Sequence, residues 1–181
     1  NATPITKEIQ EIEVSVEQIE LGDLESYMLK ESFEQPKALA DCMRGRLDLA
    51  ENTIVLGGVA GRAREIVRSR RLILTGCGTA WHSCLVGEYL FEELAQIPTE
   101  VEYASELRYR NPLIDEGTVV IAVSQSGETA DTLAALREVK EKGALALGIV
   151  NAGGSAIAVE TDSGIYTHVG PEIGVASTKA Y

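Results

Sequence analysis

Three short runs of almost uninterrupted apolar residues limit the fold of this chain more than any other feature. They occupy residues 72–74, 119–123 and 145–150 and consist mainly of Leu, Ile, Val and Ala. Runs of this length without polar alternation are typical of parallel strands whose sheet is covered by helices on both faces. The sequence therefore predicts an α/β fold.

Helical patterns lie between these runs, at about residues 79–95 and 128–142. In the second, apolar positions recur on one face, and Gly143 follows as a helix-ending residue. Strand followed by helix followed by strand is the order of a doubly wound, three-layer domain. We predict such a domain, with helices on both faces of one parallel sheet.

Two weaker strand patterns complete the predicted sheet. Val101 and Tyr103 alternate with glutamates, which indicates a strand near an edge with one wetter face, and residues 165–169 form a further weak strand. About five strands result. We expect the flavodoxin-like order 2-1-3-4-5, which places the first and third strands side by side.

The first 58 residues differ from the rest. We interpret residues 1–58 as an arm or linker and residues 59–181 as the α/β domain. Pro36 divides the helical pattern of the arm, because a proline ring and its effect on the preceding residue disfavour a helix interior. Two short helices are predicted, at about residues 24–34 and 36–46. The arm shows no catalytic pattern, so packing on a neighbouring domain or subunit is its expected role.

Charge and cysteine content exclude several functions. The net charge of −12 and the pI near 4.6 argue against binding to nucleic acid or to an anionic membrane surface. No run approaches the roughly 20 apolar residues of a membrane span, so we expect a cytoplasmic protein. Three cysteines without CxxC spacing and two histidines favour neither a disulfide framework nor a metal site. We expect no metal and no cofactor.

Two loops rich in glycine and hydroxyl residues carry the chemistry. One spans residues 75–79 after the first strand, and the other spans residues 124–129 after the third. Each leads into a helix, whose free N–H groups and dipole favour an anion. If the two strands are neighbours, the loops meet at the topological switch point, where open α/β sheets bind ligands. A phosphate held by amides and hydroxyls is the predicted ligand.

Alternative explanations of these loops were weighed. Ordinary helix capping accounts for one hydroxyl, whereas the second loop has three, Ser124, Ser126 and Thr129. A dinucleotide site is disfavoured because Trp81 occupies the third position of the glycine fingerprint, where a small residue allows close packing. No Walker A motif is present. A small phosphorylated metabolite remains the favoured ligand.

Three blocks of sequence resemble a known family. They are CGT at residues 77–79, SQSGETADTL at residues 124–133 and GPEIGVASTKA at residues 170–180. Together with MLKE and FEQP in the arm, they resemble the first sugar-isomerase (SIS) subdomain of the glutamine–fructose-6-phosphate aminotransferases. That family joins a glutaminase domain to two SIS subdomains and makes glucosamine 6-phosphate without a metal.

The resemblance implies a role for each matching residue. The sugar phosphate would be held by Ser124, Gln125, Ser126 and Thr129. Cys77, Gly78 and Thr79 would line the sugar from one side, and Val175 and Ser177 from the opposite rim. Where the family often has a serine after CGT, this chain has Ala80, so one hydroxyl contact is missing.

The resemblance also implies that this chain does not turn over alone. The family's base, ring-opening histidine, Schiff-base lysine and N-terminal cysteine have no counterpart in it. We expect a homodimer that binds fructose 6-phosphate or glucosamine 6-phosphate and works with the glutaminase and second SIS domains. Two other classes stay open: a regulatory sugar-phosphate sensor without catalysis, and a purely structural dimerisation half.

Six further side chains invite functional roles, and we interpret each more simply. Lys179 is taken as an ordinary helix residue, Cys77 as a backbone contributor and His82 as a satisfied or exposed histidine. Glu128 is expected to stabilise the start of its own helix rather than act as a base. Arg108 and Arg110 are expected on a solvated face.

Overall fold

The structure is a computed structural model that describes residues 19–181. Its N-terminal part contains helix α1 (Tyr27–Met43), a two-stranded antiparallel hairpin of β1 (Leu47–Asp48) and β2 (Thr53–Ile54), and the short helices α2 (Gly57–Ala60) and α3 (Ala63–Val67). Residues 1–18 of the predicted arm lie outside the described residues. The arm boundary at residue 58 stays a prediction.

Strands and helices alternate through the remainder of the chain. The elements are β3 (Arg71–Gly76), α4 (Thr79–Leu90) with a π-helical turn (Phe91–Ala95), β4 (Thr99–Tyr103), α5 (Ala104–Arg110), β5 (Thr118–Ser124), α6 (Ala130–Glu141), β6 (Leu145–Val150), α7 (Ala156–Glu160) and β7 (Ser163–Tyr166). The five strands from β3 to β7 form one parallel sheet in the order β4-β3-β5-β6-β7. Numbered along the sheet domain, this is the predicted order 2-1-3-4-5.

Three layers pack around this sheet, as predicted. Leu72 and Leu74 of β3 contact the face covered by α4, whereas Ile73 faces α5 and α6 on the other side. All seven residues of β5 are buried. Burial on both faces explains why the central strands lack polar alternation, and it places the carboxyl ends of β3 and β5 next to each other.

The arm helix differs from the prediction. One helix runs through Pro36 instead of two that separate there. Proline in a helix interior costs about 3 kcal/mol because it removes one N–H and crowds the preceding turn. Contacts of α1 with the C-terminal segment, described below, offset that cost. Ser26 begins the helix by accepting the Leu29 amide at 3.3 Å.

The last strand also begins earlier than predicted, at Ser163 rather than at residue 165, and ends at Tyr166. Beyond it, the side-chain oxygen of Asn151 accepts the Val169 amide at 3.0 Å and lies 3.1 Å from the Thr167 hydroxyl. These contacts turn the chain away from the sheet. No helix in the described part of the chain is both long and apolar enough to cross a bilayer.

Candidate functional site

The loop after β5 is organised by its own hydroxyl groups. Ser124, the last residue of the strand, accepts the Gly127 amide at 3.0 Å, and its Oγ lies 3.1 Å from the Thr129 Oγ1. The Ser126 Oγ accepts the Glu128 amide at 3.2 Å. A hydroxyl that accepts in this way keeps its own hydrogen for another acceptor. The Ser126 hydroxyl is therefore available as a donor.

Several main-chain donors of this loop are also free. Within residues 19–181, the amides of Gln125, Ser126 and Thr129 donate to no protein acceptor. The loop leads into helix α6, whose N-terminal end carries the positive end of the helix dipole. Free amides, a free hydroxyl and a helix start together form a site suited to an anion.

The loop after β3 approaches this first loop closely. Gly76 pairs with Tyr103 at the end of the strand, and a Cβ at Gly76 would lie only 2.9 Å from the Val123 carbonyl oxygen. Gly78 has a φ of 60° and begins helix α4 without a side-chain cap. The Gly78 amide donates to the Tyr103 hydroxyl at 3.0 Å. Glycine is therefore required where the two strand ends meet.

A third segment, residues 170–181, completes the site without regular secondary structure. Glu172 organises it by accepting the Thr178 amide at 2.7 Å, the Lys179 amide at 2.9 Å and the Ser177 hydroxyl at 2.6 Å. Val175 projects into solvent and is fully exposed. The segment therefore forms a rim opposite the first two loops.

These three segments enclose one cavity of about 450 Å³. The structure brings all nine residues predicted for the site to its lining, Cys77, Gly78, Thr79, Ser124, Gln125, Ser126, Thr129, Val175 and Ser177. Their role in binding stays a prediction. Ala80 also lines the cavity, so the position where the family often has a serine does face it.

Sequence reasoning missed four residues that shape the cavity. Gly174, Ala176 and Tyr181 line it, and Glu31 of helix α1 supports its rim. Gly174 and Ala176 stand in the block that carried the family resemblance, which was the available signal. Tyr181 and Glu31 gave none, because their contacts join positions far apart in the sequence.

Two ionisable groups near the cavity are kept neutral by burial. Desolvation raises the pKa of the Cys84 thiol to about 12. Desolvation also raises the pKa of the Tyr181 phenol, with smaller contributions from Cys84 and Glu172. Among the described residues, no group of three or more His, Cys, Asp or Glu side chains is arranged to hold a metal ion.

Two of the simpler interpretations are wrong. Lys179 does not lie in a helix; its side chain is 3% exposed, and its Nζ contacts the Glu34 carboxylate at 2.7 Å and the Pro171 carbonyl at 2.7 Å. Glu128 precedes helix α6 instead of lying in its first turn, and its Oε1 accepts the Ala156 amide of helix α7 at 2.8 Å. Both side chains serve packing between elements that the local sequence does not reveal.

The remaining candidates have structural partners. Arg108 lies 3.6 Å from Asp131 and Arg110 pairs with Glu102, so both arginines form ion pairs at the surface. His82 lines the cavity, and its ring lies 5.0 Å from that of Trp81.

A parallel sheet in this order, with two loops meeting at its switch point, defines a ligand-binding α/β domain. The family model for the SIS domain matches residues 65–181, and the chain belongs to that family.

Its relatives are particular enzymes. The chain is 55% identical over 175 residues to the isomerising glutamine–fructose-6-phosphate aminotransferase of Chlorobaculum tepidum, which covers 97% of this chain and 28% of the relative. It is 52% identical over 177 residues to that of Bacteroides thetaiotaomicron, covering 98% and 29%. The C-terminal domain of glucosamine-fructose-6-phosphate aminotransferase from Francisella tularensis has a similar structure, with a TM-score of 0.79, 38% identity and coverage of 87% of this chain and 44% of that one. The chain thus spans less than a third of the length of the curated relatives it matches.

Proposed function

We propose that the cavity binds a hexose 6-phosphate, with the phosphoryl group held by Ser124, Gln125, Ser126 and Thr129. The observation that carries this proposal is the set of free amides and the free Ser126 hydroxyl at the start of helix α6. Such donors bind phosphate without an arginine or lysine. Fixed dipoles a few ångströms away outweigh the diffuse acidic surface, which salt screens over about 8 Å.

The sugar portion is assigned to the other two segments. Cys77, Gly78 and Thr79 approach from the loop after β3, and Val175 and Ser177 approach from the opposite rim. Ser177 donates its hydroxyl to Glu172, so its oxygen remains available to accept from a sugar hydroxyl. Fructose 6-phosphate and glucosamine 6-phosphate are the proposed ligands, in line with the names of the relatives.

The activity proposed for the whole protein is that of an isomerising aminotransferase, which forms glucosamine 6-phosphate from fructose 6-phosphate and glutamine. Isomerisation needs a base beside the reacting carbon. The described residues lining the cavity include no carboxylate and no lysine. We therefore propose that this chain positions the sugar phosphate and that the glutaminase and second SIS domains supply the reacting groups.

A homodimer is proposed as the assembly. Val86, Tyr89 and Leu90 on helix α4, followed by Leu94, are large apolar side chains that are half or more exposed. Val86, Leu90 and Leu94 follow one another at intervals of four residues, which aligns them along one side. A contiguous exposed apolar patch is typical of a protein interface, and a second copy of this chain is its proposed occupant.

Calorimetric titration with fructose 6-phosphate tests the binding proposal. We expect saturable binding to the unaltered chain, about 100-fold weaker binding to the Ser124→Ala, Ser126→Ala double variant, and no binding of unphosphorylated fructose. Each lost hydrogen bond to a charged group accounts for about tenfold.

Ser69→Ala is the matched control, because its hydroxyl donates to Ile66 away from the cavity. Equal affinity in the double variant and the control would contradict the proposal. With glutamine added, the chain alone is expected to form no glucosamine 6-phosphate.

A further inference from the structure

The rim of the cavity is attached to the arm helix through a buried carboxylate. Glu31 lies on α1, is 2% exposed, and accepts the Ile173 amide at 2.5 Å and the Gly174 amide at 3.1 Å. Its second oxygen lies 3.2 Å from the Gly174 amide. Burying a carboxylate is unfavourable unless it is hydrogen-bonded. These amides meet that requirement, and in return their positions are fixed.

The same helix makes further contacts with the rim segment. Glu34 forms its ion pair with the buried Lys179, and the Gln35 side-chain amide donates to the Thr178 carbonyl. The contacts from α1 therefore reach the segment on both sides of residues 175–177. Those three residues are the part that faces the cavity.

This attachment matters because the rim has no sheet or helix of its own. A segment without backbone pairing gains conformational freedom when its side-chain anchors are removed, and fixing it again on binding costs about 1–2 kcal/mol per residue. The loop after β5 needs no such support, because Ser124 and Ser126 organise it internally. Losing the anchor should therefore affect the sugar side of the cavity and spare the phosphate side.

We propose that Glu31 is a positioning residue through which the arm helix holds Val175 and Ser177 in place for the sugar portion of the ligand. This inference rests on the proposed function and extends it, because it assigns to the arm a part in ligand selectivity. Glu31 touches no ligand in this account and acts only through the amides that it accepts.

The test compares two ligands, fructose 6-phosphate and inorganic phosphate, by calorimetric titration of the 181-residue chain. For Glu31→Gln, whose amide group places a donor beside the Gly174 amide, we expect about tenfold weaker binding of fructose 6-phosphate. Binding of inorganic phosphate is expected to change by less than twofold. Asp41→Asn is the matched control on the same helix, because its partners are Lys37 and Arg44 of the arm.

A second variant covers the case in which Glu31→Gln does not fold. A Cβ at Gly174 would lie 2.6 Å from the Glu31 Oε2, and Gly174 does not have a positive φ. Gly174→Ala should therefore displace the carboxylate and produce the same selective loss. Combined with Glu31→Ala, it should add less than twofold to the loss that Glu31→Ala causes alone.

The outcomes separate this inference from the function beneath it. Selective loss of fructose 6-phosphate affinity in Glu31→Gln or Gly174→Ala supports the inference. Unchanged affinity, or equal losses for both ligands, overturns it while the proposed function stands. Failure of the unaltered chain to bind fructose 6-phosphate overturns both.

Discussion

At the scale of single residues, Gly127 shows how the phosphate loop depends on backbone geometry. Its φ is 66°, and a Cβ at this position would lie 1.9 Å from the Ser155 Oγ, which is buried without a hydrogen-bond partner. A side chain here therefore meets both an unfavourable backbone conformation and a steric clash.

We expect Gly127→Ala to lower the free energy of unfolding by about 2–4 kcal/mol, the combined cost of left-handed strain and overpacking. Urea denaturation measures this change. Gly153→Ala is the control, because Gly153 has no positive φ and its Cβ would meet nothing within 4 Å. Adding Ser155→Ala should restore part of the lost stability. Equal stability of the Gly127→Ala and Gly153→Ala variants would show that the loop adapts without strain.

The sequence allowed the loop residues to be predicted because their signal is local. A glycine or hydroxyl residue directly after an apolar run is visible within a few positions, as with Gly78 and Ser124. Glu31 could not be found in this way, because its partners lie 142 and 143 positions further along the chain. Lys179 was misjudged for the same reason, since Glu34 is 145 positions away.

At the scale of elements, strength of pattern decided which could be predicted. Strands β5 and β6 were predicted within a residue because both of their faces are buried. The short helices α2, α3, α5 and α7 were not predicted, because helices of four to seven residues are too short to show a repeating apolar face. Helix α1 was divided wrongly at Pro36, since its tertiary contacts with residues 173–179 outweigh the local preference.

The contact between α1 and the C-terminal segment should depend on pH through Glu34. Burial opposes its ionisation, but hydrogen bonds and charge from Lys179 and Lys30 hold its pKa below the ordinary 4.5. A lowered pKa means that this carboxylate stabilises the fold above pH 4.5, and that the contribution is lost as the pH falls through the lower, folded-state value.

We therefore expect Glu34→Gln to lower the free energy of unfolding by about 2 kcal/mol at pH 7, because it leaves the ammonium of Lys179 without its counter-charge. This is less than the 3–5 kcal/mol of a fully buried pair, since the Glu34 side chain keeps 28% exposure. Unfolding measured from pH 7 to pH 3 should show the difference shrinking below pH 4.5. A difference that stays constant over this range would contradict an ionic origin.

At the scale of the whole molecule, the exposed side of helix α4 concerns assembly. Val86 and Leu90 are exposed in the single chain, and we expect a second copy to cover them. Sedimentation equilibrium should show a dimer whose dissociation constant rises at least 100-fold in Leu90→Glu, because a charge would be buried in an apolar contact. Tyr109→Glu, an exposed position on helix α5, serves as the control. A monomeric unaltered chain would contradict this prediction.

The account rests on binding of a phosphoryl group where β3 and β5 end side by side. A crystal structure of the chain with fructose 6-phosphate tests this most directly. We predict phosphate oxygens within hydrogen-bond distance of the Ser126 hydroxyl and the Gln125 and Ser126 amides, with the sugar between Thr79 and Val175. A phosphate bound elsewhere, with these amides directed only to solvent, would contradict it.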